Sequence, residues 1–558
     1  MDLLPLLTFV ADRARINFNK KVRNVAEAQE KFLFNLLKRY KYTELGQQYK
    51  IGEIQSIEQF QARIPVLGYT AYEPYVRRIA DGESNVLTSD PVVYLNRTSG
   101  STGKQKLIPV TRRFQNILGW ANLVSLGFLV HGLKKRGKKL GKNLVLNALE
   151  APKYTQGGIE YGSAGPGVLK MGSFLYKQLF VHPLDTFKPQ DYFARSYTAL
   201  LFALRDCPTS IGSNFPMVIL QLCNWLEEYA EALIEDIETG SIAPWLKLEP
   251  ELRVSLEAQL MPDVDRAAEL RSILKTEGRL LPRLVWPGLS CYTTARGGTS
   301  DFYLQRFPEY FGDIPGFGAV FASAEGTFSI YPDLDTDGSA LAVETGFFEF
   351  VPPEEWDSEH PKTLRPSEVK VGEYYRLLVT NHSGFYRYDI GDVFQVVGFY
   401  EEAPLIVFRY RRGGLLSSTT EKTTEYHVTQ TMQILQDKFA IRFEDFCITL
   451  SDNEFPARYL VNVELAPGYH LDDAEGFIEA FDRVLKEVHI YYQVKRDMSI
   501  PPPRLQILKP GSFEIVRRRQ VERGIPAYQL KFPHISEDRS IVADLEVERA
   551  VQFGSRTA

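Results

Sequence analysis

The nine residues TSGSTGKQK at positions 98 to 106 constrain this chain more than any other stretch. They follow a β-rich run, PVVYLN, and precede LIPV and Thr111, a residue suited to cap a helix. Beyond it Phe114, Ile117, Leu118, Ala121 and Val124 recur at helical spacing. The local order is therefore strand, polar glycine loop, helix. Two glycines, four hydroxyl side chains and two lysines fall within the nine. Glycine removes the steric barrier to close backbone approach, so such a loop can gather N–H groups, hydroxyls and ammonium groups around phosphate oxygens. A Walker A loop, G-x-x-x-x-G-K-[ST], does not fit, because Gly103-Lys104 is preceded at the required distance by Thr98 and followed by Gln105. Anion binding of another kind remains, beside the plainer reading of a flexible polar turn.

At 558 residues the chain exceeds the size at which one core keeps growing, so one large and one small domain are expected. A content of 44% apolar, 24% charged and 12% aromatic residues is that of an ordinary globular protein. The net charge of -5 argues against a dedicated nucleic-acid binder and favours small-molecule chemistry. Cys207, Cys223, Cys291 and Cys447 are widely spaced, signal neither zinc nor a disulfide framework, and suit a reducing compartment. The opening MDLLPLLTFVADRAR has Asp2 where a leader would be basic and no small-residue cleavage pattern, and reads as a docking segment. The longest apolar run, Leu118 to Val130, is shorter than the ~20 residues that span a membrane. A soluble, cytoplasmic protein without a membrane partner is the expectation.

Val22, Val25, Phe32, Leu33, Leu36, Leu37 and Tyr40 predict a surface helix over 22 to 40 with one buried face. Between 150 and 400, helical stretches alternate with the strand-like runs LVWPGL, GAVFAS, FFEFVP, YRLLVT and VFQVVGF, which predicts a mixed α/β architecture. The texture changes after VFRYRRGG at 407 to 414. A helix through TMQILQ, strands FCITL and YLVNVEL, and a helix with Ala474, Phe477, Ile478, Phe481, Val484, Leu485 and Val488 on one face follow. A domain boundary is placed between Arg409 and Gly414. The basic run HGLKKRGKKLGK at 131 to 142 reads as a solvated loop.

Four further segments join the loop at 98 to 106: VFASAEGTFSI at 320 to 330, VTNHSGFYRYDIGDVFQVVGFYEEAP at 379 to 404, FRYRRGGLLSSTTEKTTE at 408 to 425, and LKPGSFEIVRRRQVERGIPAYQLKFP at 508 to 533. The loop resembles the [ST]-S-G-[ST]-T-G-x-x-K element of the adenylate-forming enzymes. The set as a whole resembles the Gretchen Hagen acyl-acid amido synthetases within that superfamily. The segment at 379 to 404 is similar to that family's T-N-x-x-G-L-Y-R-x-x-x-G-D element almost residue for residue.

The resemblance implies an α/β fold with a large, firefly-luciferase-like N-terminal domain over 1 to 410 and a small mobile C-terminal domain over 411 to 558. It implies that Thr98, Ser99, Gly100, Ser101, Thr102, Gly103 and Lys106 hold the phosphates of ATP, and that Gly297, Gly298 and Thr299 of ARGGTS form a second nucleotide-side loop. By the same resemblance Phe321, Ala322, Ser323 and Ala324 line the adenine, while Glu325 supplies a carboxylate near Mg2+. Ala324 and Phe321 stand where the family has a serine and a tyrosine. Asp392 is expected to accept both ribose hydroxyls, a task suited to a group with two acceptor oxygens. Lys422 falls in the family's D-K-T-x-E element and Lys531 at its catalytic lysine, but Ser536, Glu537 and Asp538 occupy the region where the family often has a second basic residue. The acyl pocket is expected near Trp120 and Val124, and Arg409 to Gly414 as a pivot. His382 reads as structural rather than catalytic.

The activity implied is adenylation of a small carboxylic acid followed by transfer of the acyl group to the amine of an amino acid. Coenzyme A as acceptor would make an acyl-CoA ligase instead. A catalytically silent regulatory protein is the remaining alternative, against which the retained Lys106, Glu325, Asp392 and Lys531 speak.

Overall fold

The computed structural model describes residues 3–98, 106–145, 152–163, 173–298, 300–411, 414–419, 421–452, 454, 456–522, 530 and 532–553. The chain forms two compact units, one of Met1–Arg296 with Phe307–Phe408 and one of Gly297–Arg306 with Arg409–Ala558. The segment Gly297–Arg306 thus leaves the first unit and packs with the second. Both units mix helices and sheets, the α/β class expected.

Among its described residues the first unit contains three sheets. In one, Val92–Arg97 pairs antiparallel with Leu107–Thr111 and parallel with Glu160–Ser163. A second is all parallel, with Asn143–Val145, Ser210–Gly212, Cys291–Thr293 and Gly316–Phe317 in that order. The third has seven strands, in the order Phe347–Val351, Tyr374–Thr380, Tyr388–Tyr400, Ala403–Arg411, Ser339–Leu341, Gly326–Ile330 and Val320–Ser323. The run LVWPGL at 284 to 289, read from sequence as a strand, instead starts on the last two residues of the helical turn Pro282–Val285, in which Pro282 at the first helical position pre-sets the required φ.

Helix Val25–Tyr40 begins three residues later than the sequence reading places it, since the Asn24 side chain accepts the Glu27 N–H as a cap. Its buried Gln29 donates to the carbonyls of Val343 and Gly346 and accepts from Phe348 N–H, which fixes the helix to the large sheet. The apolar N-terminus forms helix Leu4–Lys21, docked by Ala11, Ala14 and Phe18. It crosses helix Arg112–Lys135, with the Phe18 and Phe128 rings edge to face at 5.9 Å. Gly127 permits this approach, because a Cβ there would overlap the Ala11 carbonyl. Among the described residues, Arg112–Lys135 is the one helix long and apolar enough to cross a membrane by length and composition. Its buried face, Phe114, Ala121, Val124, Phe128 and Leu133, packs into the first unit.

Arg387, in the segment 379 to 404, is buried with φ at 44°, a conformation that L residues with side chains rarely adopt. The surroundings over-determine it. Its Nε lies 3.1 Å from Glu349 Oε2, one Nη donates to the carbonyls of Gln61 and Ile64, and the other donates to Thr363.

The second unit is a four-stranded sheet in the order Phe443–Leu450, Tyr459–Leu465, Arg504–Leu508 and Val547–Gln552. The parallel middle pair is joined through helices Ala474–Val488 and Ile490–Met498, the crossover that parallel strands require. Asp473 caps the first of these by accepting Gly476 N–H at 2.9 Å, and Ala474, Phe477, Ile478, Phe481, Val484 and Leu485 are buried as their spacing predicts.

Removing one partner of a buried ion pair strands the other charge, at a cost of about 3–5 kcal/mol. Arg387→Met is therefore expected to lower the first unit's unfolding free energy by that amount in urea titrations, with its midpoint shifted down accordingly, while the second unit's transition stays in place.

Candidate active site

The hairpin Val92–Arg97 and Leu107–Thr111 carries the candidate phosphate loop between its strands. Ser99, Gly100, Ser101, Thr102 and Gly103 lie outside the described residues, as do Thr299 and Lys531. The base of the loop is described. Thr98 N–H donates to the Lys106 carbonyl at 3.0 Å, and Lys106 N–H donates to Thr98 Oγ1 at 3.1 Å. The Lys106 ammonium stands 5.5 Å from the centre of the Tyr69 ring. The Tyr69 hydroxyl accepts from Leu107 N–H at 2.9 Å and donates to the Leu107 carbonyl at 3.1 Å, taking the place of a neighbouring strand. Burial pushes the Tyr69 hydroxyl's pKa up, and the nearby Glu325 adds to the rise.

Glu325 sits in the two-residue turn between Val320–Ser323 and Gly326–Ile330, with 5% of its surface exposed. Ser323 Oγ donates to one carboxylate oxygen at 2.6 Å and Tyr388 donates to the other at 3.3 Å. The backbone of the turn is held from two directions. Asn96 Nδ2 donates to the Ala324 carbonyl at 3.0 Å, and Asn381 Nδ2 donates to the Glu325 carbonyl at 2.7 Å. Asn96 belongs to the strand entering the phosphate loop, and Asn381 and Tyr388 to the segment 379 to 404. The contribution of Ala324 is thus its carbonyl, and no side-chain hydroxyl is needed for it.

Phe321 stacks on Phe408 at 5.3 Å and meets the edge of Phe394 at 5.1 Å. Asp392, 2% exposed, is two residues before Phe394 on strand Tyr388–Tyr400, which sets both side chains on one face. The strand turns into this register at Asp389, whose Oδ1 accepts Gly391 N–H at 2.8 Å while Gly391 takes φ 78°. Ala322 is exposed. Val124 is buried in the core of the first unit, and Trp120 lines an open cleft with Asn17, Lys20, Arg112, Arg113 and Asn116. That cleft lies at the end of the hairpin remote from the phosphate loop, beside Asp90 and Pro91, which precede Val92–Arg97.

In the second unit Gly297 and Gly298 take φ of 84° and 58°, and Gly297 N–H donates to Asp301 Oδ1 at 2.8 Å. Lys422 is exposed, at φ 54°, on a turn built by its neighbour Glu421. Burial raises the Glu421 pKa, but hydrogen bonds from Tyr459, Ser418 N–H and Thr419 N–H outweigh it and hold the carboxyl below its usual value.

Tyr69, Asn96, Asn381 and Tyr388 were not singled out by the sequence reading. Asn381 and Tyr388 stand inside a matched segment, which is a usable signal. Tyr69 has none. His382 is structural: it is buried, its Nδ1 lies 2.9 Å from the Tyr40 hydroxyl, and it packs edge to face with Phe32.

The fold, a large α/β unit that carries these elements and a separate smaller α/β unit, is one found among solved ligases. The structure of a 2-hydroxyisobutyryl-CoA ligase in the postadenylation state shares it at a TM-score of 0.50 and 12% identity, over 95% of this chain and 90% of that one. Within that class, the models of the GH3 family N-terminal, central and C-terminal domains match residues 14–316, 339–411 and 425–540, so the chain belongs to the GH3 family. The AtGH3.15 acyl acid amido synthetase in complex with 2,4-DB has a TM-score of 0.84 at 23% identity, covering 98% of each chain. The jasmonoyl-L-amino acid synthetase JAR4 of Nicotiana attenuata is 28% identical over 92% of each chain. The indole-3-acetic acid-amido synthetase GH3.8 of Oryza sativa subsp. indica is 26% identical over 91% of this chain and 88% of its own.

Burial pushes the His382 pKa from 6.5 down to about 4, with Arg113 adding to the fall. The unfolded chain then binds a proton that the folded ring refuses, so this residue makes stability fall as pH drops from about 6.5 toward 4. His382→Gln, measured by urea unfolding at several pH values, is expected to flatten that part of the slope.

Proposed function

We propose that this chain is an ATP-dependent acyl-acid amido synthetase. The observation that carries the reading is the convergence, within the first unit, of the phosphate-loop strand, the Glu325 turn and the Asp392 strand through Asn96, Asn381 and Tyr388. Membership of the GH3 family, and relatives named as amido synthetases for indole-3-acetic acid and jasmonate, support an amine as acceptor.

In the first half-reaction a carboxylate oxygen of the acid attacks the α-phosphorus of ATP, and the bond to pyrophosphate breaks. Two anions must meet, so cationic groups and N–H donors have to be gathered there. Lys106 and the loop 98–106 would take the β and γ phosphates, and Lys531 is the candidate for the charge that grows on the α-phosphate. Phe321, held by Phe394 and Phe408, offers an apolar face to adenine, and Asp392 offers two acceptor oxygens to the ribose. In the second half-reaction the amine of an amino acid attacks the acyl carbon of the adenylate, loses a proton and expels AMP. Gly297, Gly298, Thr299 and Lys422 are the further site candidates of the second unit.

Magnesium fits the donor set at Glu325. Each of its carboxylate oxygens keeps a lone pair beyond the bond it accepts, and among the described residues no group of three metal-ligating side chains forms a closed cage. Magnesium commonly takes one or two carboxylates and completes its shell with water and substrate phosphates, and it would supply charge neutralisation there. The four cysteines are thiols rather than disulfides, which suits a reducing compartment.

Carboxylate-dependent exchange of labelled pyrophosphate into ATP, run over a panel of aryl and alkyl acids, is expected to be positive for at least one acid. Trapping of the adenylate should then proceed with an amino acid and not with coenzyme A. Absence of exchange with every acid would remove the reading, and capture by coenzyme A alone would make the protein a thioester-forming ligase. Lys531→Ala is expected to lose exchange by on the order of a hundredfold or more while nucleotide still binds.

A further inference from the structure

Asp445 and His534 are fully enclosed in the second unit, and their side chains meet at 3.1 Å between Oδ1 and Nε2. The same carboxylate accepts from the Tyr303 hydroxyl at 3.0 Å and from Phe446 N–H at 2.9 Å, and Arg517 stands 3.5 Å away. The His534 ring stacks on Phe446 at 4.1 Å and meets the edge of Phe302 at 5.2 Å. Its backbone is held as firmly. His534 N–H donates to Glu425 Oε1 at 2.8 Å, Ile448 N–H donates to the His534 carbonyl at 2.8 Å, and Ser536 N–H returns to Ile448 at 3.0 Å. Residues 534 to 536 thereby add a short parallel bridge to the free edge of strand Phe443–Leu450.

Three sequence-distant segments end on this cluster. Phe302 and Tyr303 come from the segment that opens with Gly297 and Gly298. Glu425 follows directly on the turn that carries Lys422. His534 lies three residues beyond Lys531, whose neighbours Leu530 and Phe532 are both buried, the latter against Phe513 at 4.9 Å. A buried carboxylate, imidazole, phenol and guanidinium are a poor source of stability, since apolar side chains of the same volume avoid the desolvation cost. The price is visible at His534 Nδ1, which is buried without a hydrogen-bond partner. What the polar groups supply, and apolar ones do not, is direction: each bond fixes the register of one segment against another.

We propose that Asp445, His534 and Tyr303 are positioning residues for acid activation, locking the segment that carries Phe302 and Tyr303, the 421–425 turn and residues 532–536, which follow Lys531 in the chain, into one frame. The proposal rests on the assignment of Lys531 to that step. It predicts that the three segments respond together when any bond of the cluster is removed, although none of these residues touches a reactant.

The test uses full-length Tyr303→Phe and His534→Gln proteins, both of which keep the cluster filled, with thermal melts to verify folding. Pyrophosphate exchange is expected to fall in kcat by about tenfold or more with KM for ATP little changed, because small displacements of an acting group cost rate rather than binding. Transfer from a preformed acyl-adenylate to an amino acid should keep its rate. Backbone hydrogen exchange should rise jointly in 300–306, 421–425 and 532–536. Wild-type exchange kinetics in a folded variant, a parallel loss in both half-reactions, or deprotection confined to the substituted segment would each overturn the proposal. If the wild-type protein itself exchanges pyrophosphate with no acid, the functional reading fails and the tie to activation falls with it. Hydrogen exchange then still decides whether the three segments form one frame.

Discussion

Two asparagine amides hold the first unit's candidate site together. A tight turn at the end of a sheet leaves carbonyls that must find donors, and at Ala324 and Glu325 those donors are Asn96 and Asn381. Because one asparagine precedes the phosphate loop and the other begins the segment that ends in Asp392, satisfying two adjacent carbonyls sets the distance between three otherwise independent elements. The Glu325 carboxylate then needs only Ser323 and Tyr388 to fix its direction. The buried Arg387 and Glu349 serve the same segment from its other side, anchoring the chain just before the strand that carries Asp392.

Much of this was legible in the residues, and the part that was not has a common cause. The strand before the loop and the helix after it follow from local pattern, and Thr111 caps the helix as its position suggests, accepting Phe114 N–H at 3.1 Å; the strand Leu107–Thr111 between loop and helix does not appear in that reading. The stripe of helix Ala474–Val488 follows from periodicity alone. The partners of Ala324, by contrast, are invisible in sequence, because a hydrogen bond to a backbone carbonyl leaves no mark on the residue that accepts it. Tyr69 was missed for a similar reason: its hydroxyl completes a strand edge, a task any local pattern is silent about. The turn Pro282–Val285 was misread because a short apolar run carries no period, and the proline that decides it acts through φ.

The departure of Gly297–Arg306 from the first unit shows the limit of reading domains as intervals. Contiguity suggests that residues between two matched segments share their core, yet Phe302 and Tyr303 bury themselves beside His534. Two of the crossings between units enclose only the ten residues Gly297–Arg306, so the excursion takes little chain and imposes little loop-closure entropy.

Gly127 has a reach beyond its own contact. With no Cβ it lets the Ala11 carbonyl rest against helix Arg112–Lys135, and helix Leu4–Lys21 then carries that spacing along its length. At its far end Lys21 pairs with Glu344, and the Val22 carbonyl accepts Glu402 N–H at 2.9 Å. In an engineer's terms this is a tolerance chain: one missing methyl fixes the first clearance, every later joint inherits it, and an error at residue 127 would be read out some fifteen ångströms away, at the margin of the seven-stranded sheet, on the rise of ~1.5 Å per helical residue.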